Sequence, residues 1–316
     1  MPDLKDVDPE LREALQNLPQ FAFSHGTLPL VRRARDAMLA MPEVEQALRR
    51  VDERRVPGPE GAPEVRVLIH RPPQAAGPVP AILHIHGGGY VTGWPEMTAI
   101  EHQGLVEEFG CVIVSVDYRL APETPHPGPI QDCYAALRWL HREAPALGVD
   151  PKRIGVSGES AGGGLAAALA LLARDRGEVP LVFQHLIYPM LDDRTCRTAD
   201  PHPHTGHHVW TPESNSFGWT SLLGKAPGGP DVECYAAAAR ARDLSGLPQV
   251  FISVGALDLF LDEDVDYALR LTRAGVPVEL HVYPGAYHGY QAAARARVTL
   301  AAGRDSHAAL ARFLSL

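Results

Sequence analysis

From residue 64 onward, apolar positions fall into two alternating rhythms. Short runs rich in Val, Ile and Leu at Glu64–Arg71, Pro80–His86, Cys111–Asp117, Arg153–Ser157, Val182–Tyr188, Gln249–Gly255 and Val278–Tyr283 read as strands, most of them apolar enough to be buried on both faces. Between most of them lie segments of helical length and composition: Glu96–Phe109, Pro129–Glu143, Ala161–Arg174, Leu261–Ala274 and Gln291–Leu314. Strand and helix in alternation predict an α/β fold, doubly wound about a mostly parallel sheet.

Two regions stand outside the rhythm. Asp8-Pro9-Glu10 reads as an N-cap, a first-turn proline and a favourable acid, followed by Leu11, Ala14, Leu15 and Leu18 at helical spacing. A second helix is predicted over Leu28 to Met41, and both are expected to pack outside the sheet as part of a lid. From Met190 to about Lys225 a long insert carries four histidines and two tryptophans, and inserts of that length in compact domains are usually functional. It is expected to project near the carboxyl ends of the strands, where open α/β sheets place ligands. The organisation predicted is one domain over 1–316, with a cap from about 1–50 and 190–225 and a core from about 51–189 and 226–316.

Charge narrows the partners. The formal net charge is −9 with no run of Lys or Arg, so no nucleic-acid footprint is present and neutral or hydrophobic small molecules suit the surface better than phosphates. No apolar stretch of about 18 residues suggests stable membrane insertion, and the N-terminus has no basic segment leading into an apolar one. Cys111, Cys133, Cys196 and Cys234 are scattered, with none in C-x-x-C spacing. Reduced thiols in a cytoplasm are the expectation.

The chemistry centres on Gly158-Glu-Ser-Ala-Gly162, set between the strand 153–157 and a run of strong helix formers. A strand–turn–helix that tight needs glycine at its flanks, and it lifts the serine hydroxyl above the sheet beside the positive end of the helix. A serine becomes a nucleophile only with a base, an orienting acid and donors for the substrate oxyanion. His288 follows one predicted strand on a Gly- and Pro-bearing loop, and Asp258 follows the strand before it. Asp262, Glu263 and Asp264 lie close by, but they suit a helix start, where acids complement the dipole. His86-Gly-Gly-Gly89 follows the strand 80–85, and its glycines let backbone N–H groups of Gly88 and Gly89 approach an oxyanion, with Ala161 supplying a third.

Together His86-Gly-Gly-Gly89, Asp117-Tyr-Arg-Leu-Ala-Pro-Glu123, Gly158-Glu-Ser-Ala-Gly-Gly163, Asp258-Leu-Phe-Leu-Asp-Glu263 and His288 resemble the hormone-sensitive lipase family of carboxylesterases, over residues from about 80 to 290. The resemblance implies an α/β-hydrolase fold with a mostly parallel eight-stranded sheet flanked by helices and a helical cap. It further implies a serine carboxylesterase that cleaves short- to medium-chain acyl esters through an acyl-enzyme, with Ser160 as nucleophile, Asp258 and His288 as its partners, and Gly88, Gly89 and Ala161 as the oxyanion hole. A homodimer through the last strand and helix is also implied. Glu159 departs from the Asp or Thr more usual in bacterial members, and its extra methylene is expected to change what lies behind the nucleophile. Asp117–Glu123 is read as an ion-pair network bracing the loop beneath the site.

Other readings bear on the same residues. Pro201-His-Pro-His-Thr-Gly-His-His208 has metal-ligand chemistry, but its prolines and irregular spacing favour a solvated loop, and the proposed chemistry requires neither metal nor cofactor. Trp210, Phe217 and Trp219 suit either an acyl pocket or the packing of the cap. Triad chemistry acts equally on amides and lactones, and a non-catalytic receptor on the same fold is distinguished by lacking the histidine that His288 supplies here.

Overall fold

A computed structural model describes residues 4–18, 22–73 and 77–315, the side chain of Cys196 excepted. Its centre is an eight-stranded sheet: β1 Asp52–Val56, β2 Val65–His70, β3 Val79–Ile85, β4 Val112–Asp117, β5 Val149–Glu159, β6 Phe183–Ile187, β7 Gln249–Gly255 and β8 Val278–Tyr283. The spatial order is β1-β2-β4-β3-β5-β6-β7-β8, with β2 antiparallel to both neighbours and all pairings from β4 to β8 parallel.

The helices sort onto the two faces of this sheet. On one face lie α5 (Gly128–Leu147) and α6 (Ala161–Arg176), packed in the main apolar cluster with Leu83, Val114 and Val156. On the other lie α4 (Ala99–Phe109) and α9 (Arg297–Leu314), whose Leu105, Val106, Leu310 and Phe313 meet Ile82, Ile113, Phe183 and Phe251. Residues 161–173 of α6 are buried throughout, which explains a helix made almost wholly of Ala, Leu and Gly. Leu261–Arg273 forms a further helix, α8, between β7 and β8.

Chain order reverses around β3. From β3 the chain crosses through α4 to β4 on one side and then through α5 to β5 on the other, so the carboxyl ends of β3 and β5 flank the crevice where open sheets bind ligands. Those ends carry the His86–Gly89 loop and Ser160.

Several elements differ from the sequence reading. Strand β1 was not foreseen, because four of its five residues are charged, and as an edge strand it buries only Val56 well. The helix expected over Leu28–Met41 is two, α2 Leu28–Leu39 and α3 Pro42–Leu48, since Pro42 has no N–H to continue the first and instead begins the second. The segment from Glu96 opens in a 3-10 turn, Pro95–Thr98, before α4 begins. The last helix starts at Arg297 rather than Gln291, after a 3-10 turn at Tyr290–Ala292. At the N-terminus Asp8 Oδ1 accepts from Glu10 N at 2.8 Å, as its N-cap reading required, and Pro9–Leu11 leads into α1, Arg12–Asn17.

The two regions outside the rhythm meet each other. Phe23 packs on Trp210 with centroids 5.3 Å apart, His25 meets Phe217 edge-on at 5.1 Å, and Phe23 N donates to Ser214 Oγ at 3.1 Å. The insert contains one regular helix, α7 Pro212–Leu223, capped by the Thr211 hydroxyl. Among the described residues no helix is long and apolar enough to cross a membrane.

Asp117–Glu123 is braced as expected. Arg66 reaches Asp117 at 3.0 Å, Arg32 reaches Glu123 at 2.6 Å, and the buried Asp132 takes Arg119 N, Nε and Nη2 at 3.0, 2.8 and 2.7 Å. Asp132→Asn turns an amide N–H₂ toward that cation, and should cost about 1.5–3 kcal/mol in urea unfolding; an unchanged midpoint would show that the strut contributes nothing.

Candidate active site

Ser160 stands between β5 and α6 with φ 56° and ψ −122°, a conformation that residues with a side chain rarely adopt and that costs on the order of 1–3 kcal/mol. Hydrogen bonds hold it there: Ser160 N donates to Ile187 O, and Ser160 O accepts from Gly164 N and Met190 N, each at 2.9 Å. The flanking glycines are sterically required. A Cβ on Gly158 would sit 2.4 Å from Gly162 O, and one on Gly162 would sit 2.0 Å from Ile85 O.

Loops after β7 and β8 bring in the other two residues. Asp258 is 1% exposed and accepts Phe260 N on Oδ1 at 3.1 Å, while its Oδ2 lies 2.8 Å from His288 Nδ1. His288 Nε2 is 3.0 Å from Ser160 Oγ. A carboxylate accepts only, so Nδ1 carries the proton and Nε2 is left to accept from the serine hydroxyl. The imidazole is enclosed by Tyr188 at 4.6 Å and by Phe260, edge-on at 5.2 Å.

The loop after β3 completes the cluster. Gly88 and Gly89 have φ 117° and 61°, and a Cβ on Gly88 would lie 2.2 Å from Thr92 O. Their N–H groups have no hydrogen-bond partner among the described residues. Ala161 presents the first N–H of α6, which has no acceptor earlier in the helix. His86 makes no hydrogen bond to Ser160, Asp258 or His288: it stacks on Tyr118 at 4.3 Å, bonds Gly87 O, and is pushed down to about 4 by burial. Of the six residues singled out from the sequence, Gly88, Gly89, Ser160 and His288 line one cavity of about 880 Å³, while Asp258 and Ala161 are buried, Asp258 bonded to His288 and Ala161 next in chain to Ser160.

Behind the nucleophile lies what sequence reasoning missed. Glu159 reaches His84 Nε2 at 2.9 and 3.1 Å, and His84 Nδ1 bonds Ser115 Oγ at 2.9 Å. Burial pushes the Glu159 carboxyl up, but the neighbouring histidines, His84 foremost with His185 and His86 beside it, together outweigh it and the net shift is downward. Alongside, His185 bridges Ser157 Oγ at 3.0 Å and Ser306 Oγ at 2.9 Å. A signal existed at the end of β3, where His84 and, just past the strand, His86 two residues apart break an apolar run. In the insert, His202 and His204 lie in the loop at the surface side and His208 packs near Tyr287 at 6.2 Å; no group of three His, Cys, Asp or Glu suited to a metal occurs among the described residues. Trp210 borders the cavity, whereas Trp219 is fully buried against Tyr90.

A family model for the alpha/beta hydrolase fold matches residues 82–292. The chain belongs to the hormone-sensitive-lipase-like carboxylesterases of that fold. It is 37% identical to carboxylesterase NlhH of Mycobacterium tuberculosis over 90% of this chain and 89% of that protein, and 35% identical to esterase LipI of the same species over 90% and 88%. Among solved structures, a bacterial heroin esterase is 42% identical and superposes with a TM-score of 0.91, covering 98% of this chain and 99% of the other. The protein is a carboxylic ester hydrolase.

The buried histidines of this esterase make a measurable prediction. Burial holds His185 down to about 4, against about 6.5 unfolded, so unfolding takes up a proton between those values. Its share of stability is complete above about pH 6.5 and is lost as pH falls toward 4. In urea unfolding across that window, His185→Gln should lose stability less steeply than the parent by up to about 1.4 kcal/mol per pH unit; parallel slopes would contradict it.

Proposed function

We propose that Ser160 is the nucleophile of a two-step esterase, with His288 as general base and Asp258 as the acid that orients it. The observation that carries this is the unbroken line Asp258 Oδ2, His288 Nδ1, His288 Nε2, Ser160 Oγ, with separations of 2.8 and 3.0 Å. Ser160 Oγ attacks the ester carbonyl carbon while His288 Nε2 takes its proton, and the oxyanion formed accepts N–H groups of Gly88, Gly89 and Ala161. Collapse breaks the bond to the alcohol oxygen, His288 returns the proton to it, and the acyl group stays on Ser160. Water then attacks with His288 again as base, releasing the acid and restoring the hydroxyl. Asp258 remains ionised throughout, stabilising the imidazolium that forms in each step.

The N-terminal segment and the insert 190–225 act as the cap in this reading, because Phe23 and Trp210 meet each other and both border the cavity. Aromatic walls that close suit short to medium acyl chains better than long ones.

The test is turnover of p-nitrophenyl esters from acetyl to palmitoyl, with Ser160→Ala alongside. The expected outcome is a maximum at short or medium chains and a fall in kcat of roughly 10⁴-fold or more in the variant. Undiminished activity in the variant would overturn the assignment of the nucleophile, and a maximum at palmitoyl would overturn the chain-length reading.

A further inference from the structure

The two halves of the reacting centre continue neighbouring strands. β3 and β5 run parallel and pair as far as Ile85 and Gly158; beyond that pair β3 leads into the His86–Gly89 loop and β5 into the elbow at Ser160. The Gly88 and Gly89 donors thus belong to one strand end and the nucleophile to the other. Among the described residues no hydrogen bond joins Gly87–Gly89 to Ser160 or Ala161. Donors and nucleophile must nevertheless keep a fixed separation, because both meet one carbonyl group in the transition state.

Side chains supply a tie that the backbone lacks. Glu159, the last residue of β5 and the neighbour of Ser160, reaches back to His84 of β3, its Oε1 and Oε2 lying 2.9 and 3.1 Å from Nε2. A carboxylate accepts only, so Nε2 is the donor. His84 Nδ1 in turn bonds Ser115 Oγ of β4 at 2.9 Å, so one line of bonds spans three adjacent strands. The line has the same three parts as Asp258, His288 and Ser160: carboxylate, imidazole, hydroxyl. Its hydroxyl is fully buried in the core, however, so this line can hold but cannot meet a substrate. Its carboxylate end borders the reacting cavity. The oxyanion loop rests directly on that end: a Cβ on Gly87 would lie 2.9 Å from Glu159 O and 3.4 Å from Ser160 Cβ. With no side chain between them, a shift of Glu159 is passed straight to the contact between loop and elbow.

We propose that Glu159 and His84 are positioning residues that set the separation between the oxyanion donors and Ser160. The inference rests on the reading of Ser160 as nucleophile and of Gly88, Gly89 and Ala161 as its oxyanion donors. It adds the device that keeps the two in register, and it leaves the chemical steps unchanged.

The test measures p-nitrophenyl butyrate turnover by the parent, Glu159→Ala, His84→Phe, their double variant and Glu159→Gln. Competent sites are counted by stoichiometric phosphorylation with diethyl p-nitrophenyl phosphate. His84→Phe keeps a ring and removes the N–H, whereas Glu159→Gln keeps an acceptor for it. Per competent site, kcat should fall roughly 10- to 100-fold in each of Glu159→Ala and His84→Phe, with KM changed less than about threefold. The double variant should be about as slow as the slower single one, because the pair acts as a unit. Glu159→Gln should stay within about fivefold of the parent. Affinity for 1,1,1-trifluoro-2-octanone, which adds to a serine hydroxyl and presents an oxyanion to the donors, should fall by the same factor as kcat/KM. Losses that multiply in the double variant, ketone affinity held at the parent value, or unchanged kcat per competent site beside a lowered urea midpoint would each overturn the proposal alone. If His84→Phe does not fold, the ketone affinities of Glu159→Ala and Glu159→Gln decide: equal values overturn it. Full activity in Ser160→Ala, run alongside, would overturn it together with the nucleophile reading.

Discussion

Everything at this site depends on one backbone conformation, the left-handed turn at Ser160. A serine at φ 56° is unfavourable in isolation, and it persists because neighbours on both sides over-determine it. Ile187 O from β6, Gly164 N from α6 and Met190 N from the segment after β6 hold its peptide groups. Ile85 O approaches so closely that neither Gly158 nor Gly162 has room for a Cβ. The strain therefore lies at a junction of three packed elements rather than in a free loop. In return the hydroxyl projects toward His288 while the first N–H of α6 faces the same space, an arrangement that an ordinary helix N-cap serine would not produce.

The sheet topology makes the rest of the cluster economical. Reversal of strand order at β3 leaves a crevice between the ends of β3 and β5, and the oxyanion loop and the nucleophile are simply the continuations of those two strands. Asp258 and His288 continue β7 and β8 on the same edge. Four strand ends thus supply six groups, each on a short loop anchored by a buried strand. Electrostatics follow from the same placement: Asp258 is buried and bonded by Phe260 N, so the pairing with His288 is protected from water and the imidazole is held in one tautomer.

Legibility in the sequence tracked how local each signal was. The core strands announced themselves by Val and Ile runs, and the elbow by glycines whose spacing reflects contacts within a few residues. Strand β1 was invisible because an edge strand can be as charged as Asp-Glu-Arg-Arg and still pair with β2 through its backbone. Helix ends at Ala99 and Arg297 drifted because 3-10 turns carry the same apolar spacing as the helices they precede. Glu159 was recognisable as unusual, but its partner His84 lies 75 residues away and only strand register brings them together.

The central claim is that Ser160 is the activated hydroxyl, and covalent trapping tests it most directly. After incubation with diethyl p-nitrophenyl phosphate, peptide mass mapping should find a single diethylphosphoryl adduct, on Ser160, forming in step with loss of esterase activity and forming far more slowly in His288→Ala. An adduct confined to another residue, or complete inactivation with Ser160 unmodified, would contradict the account.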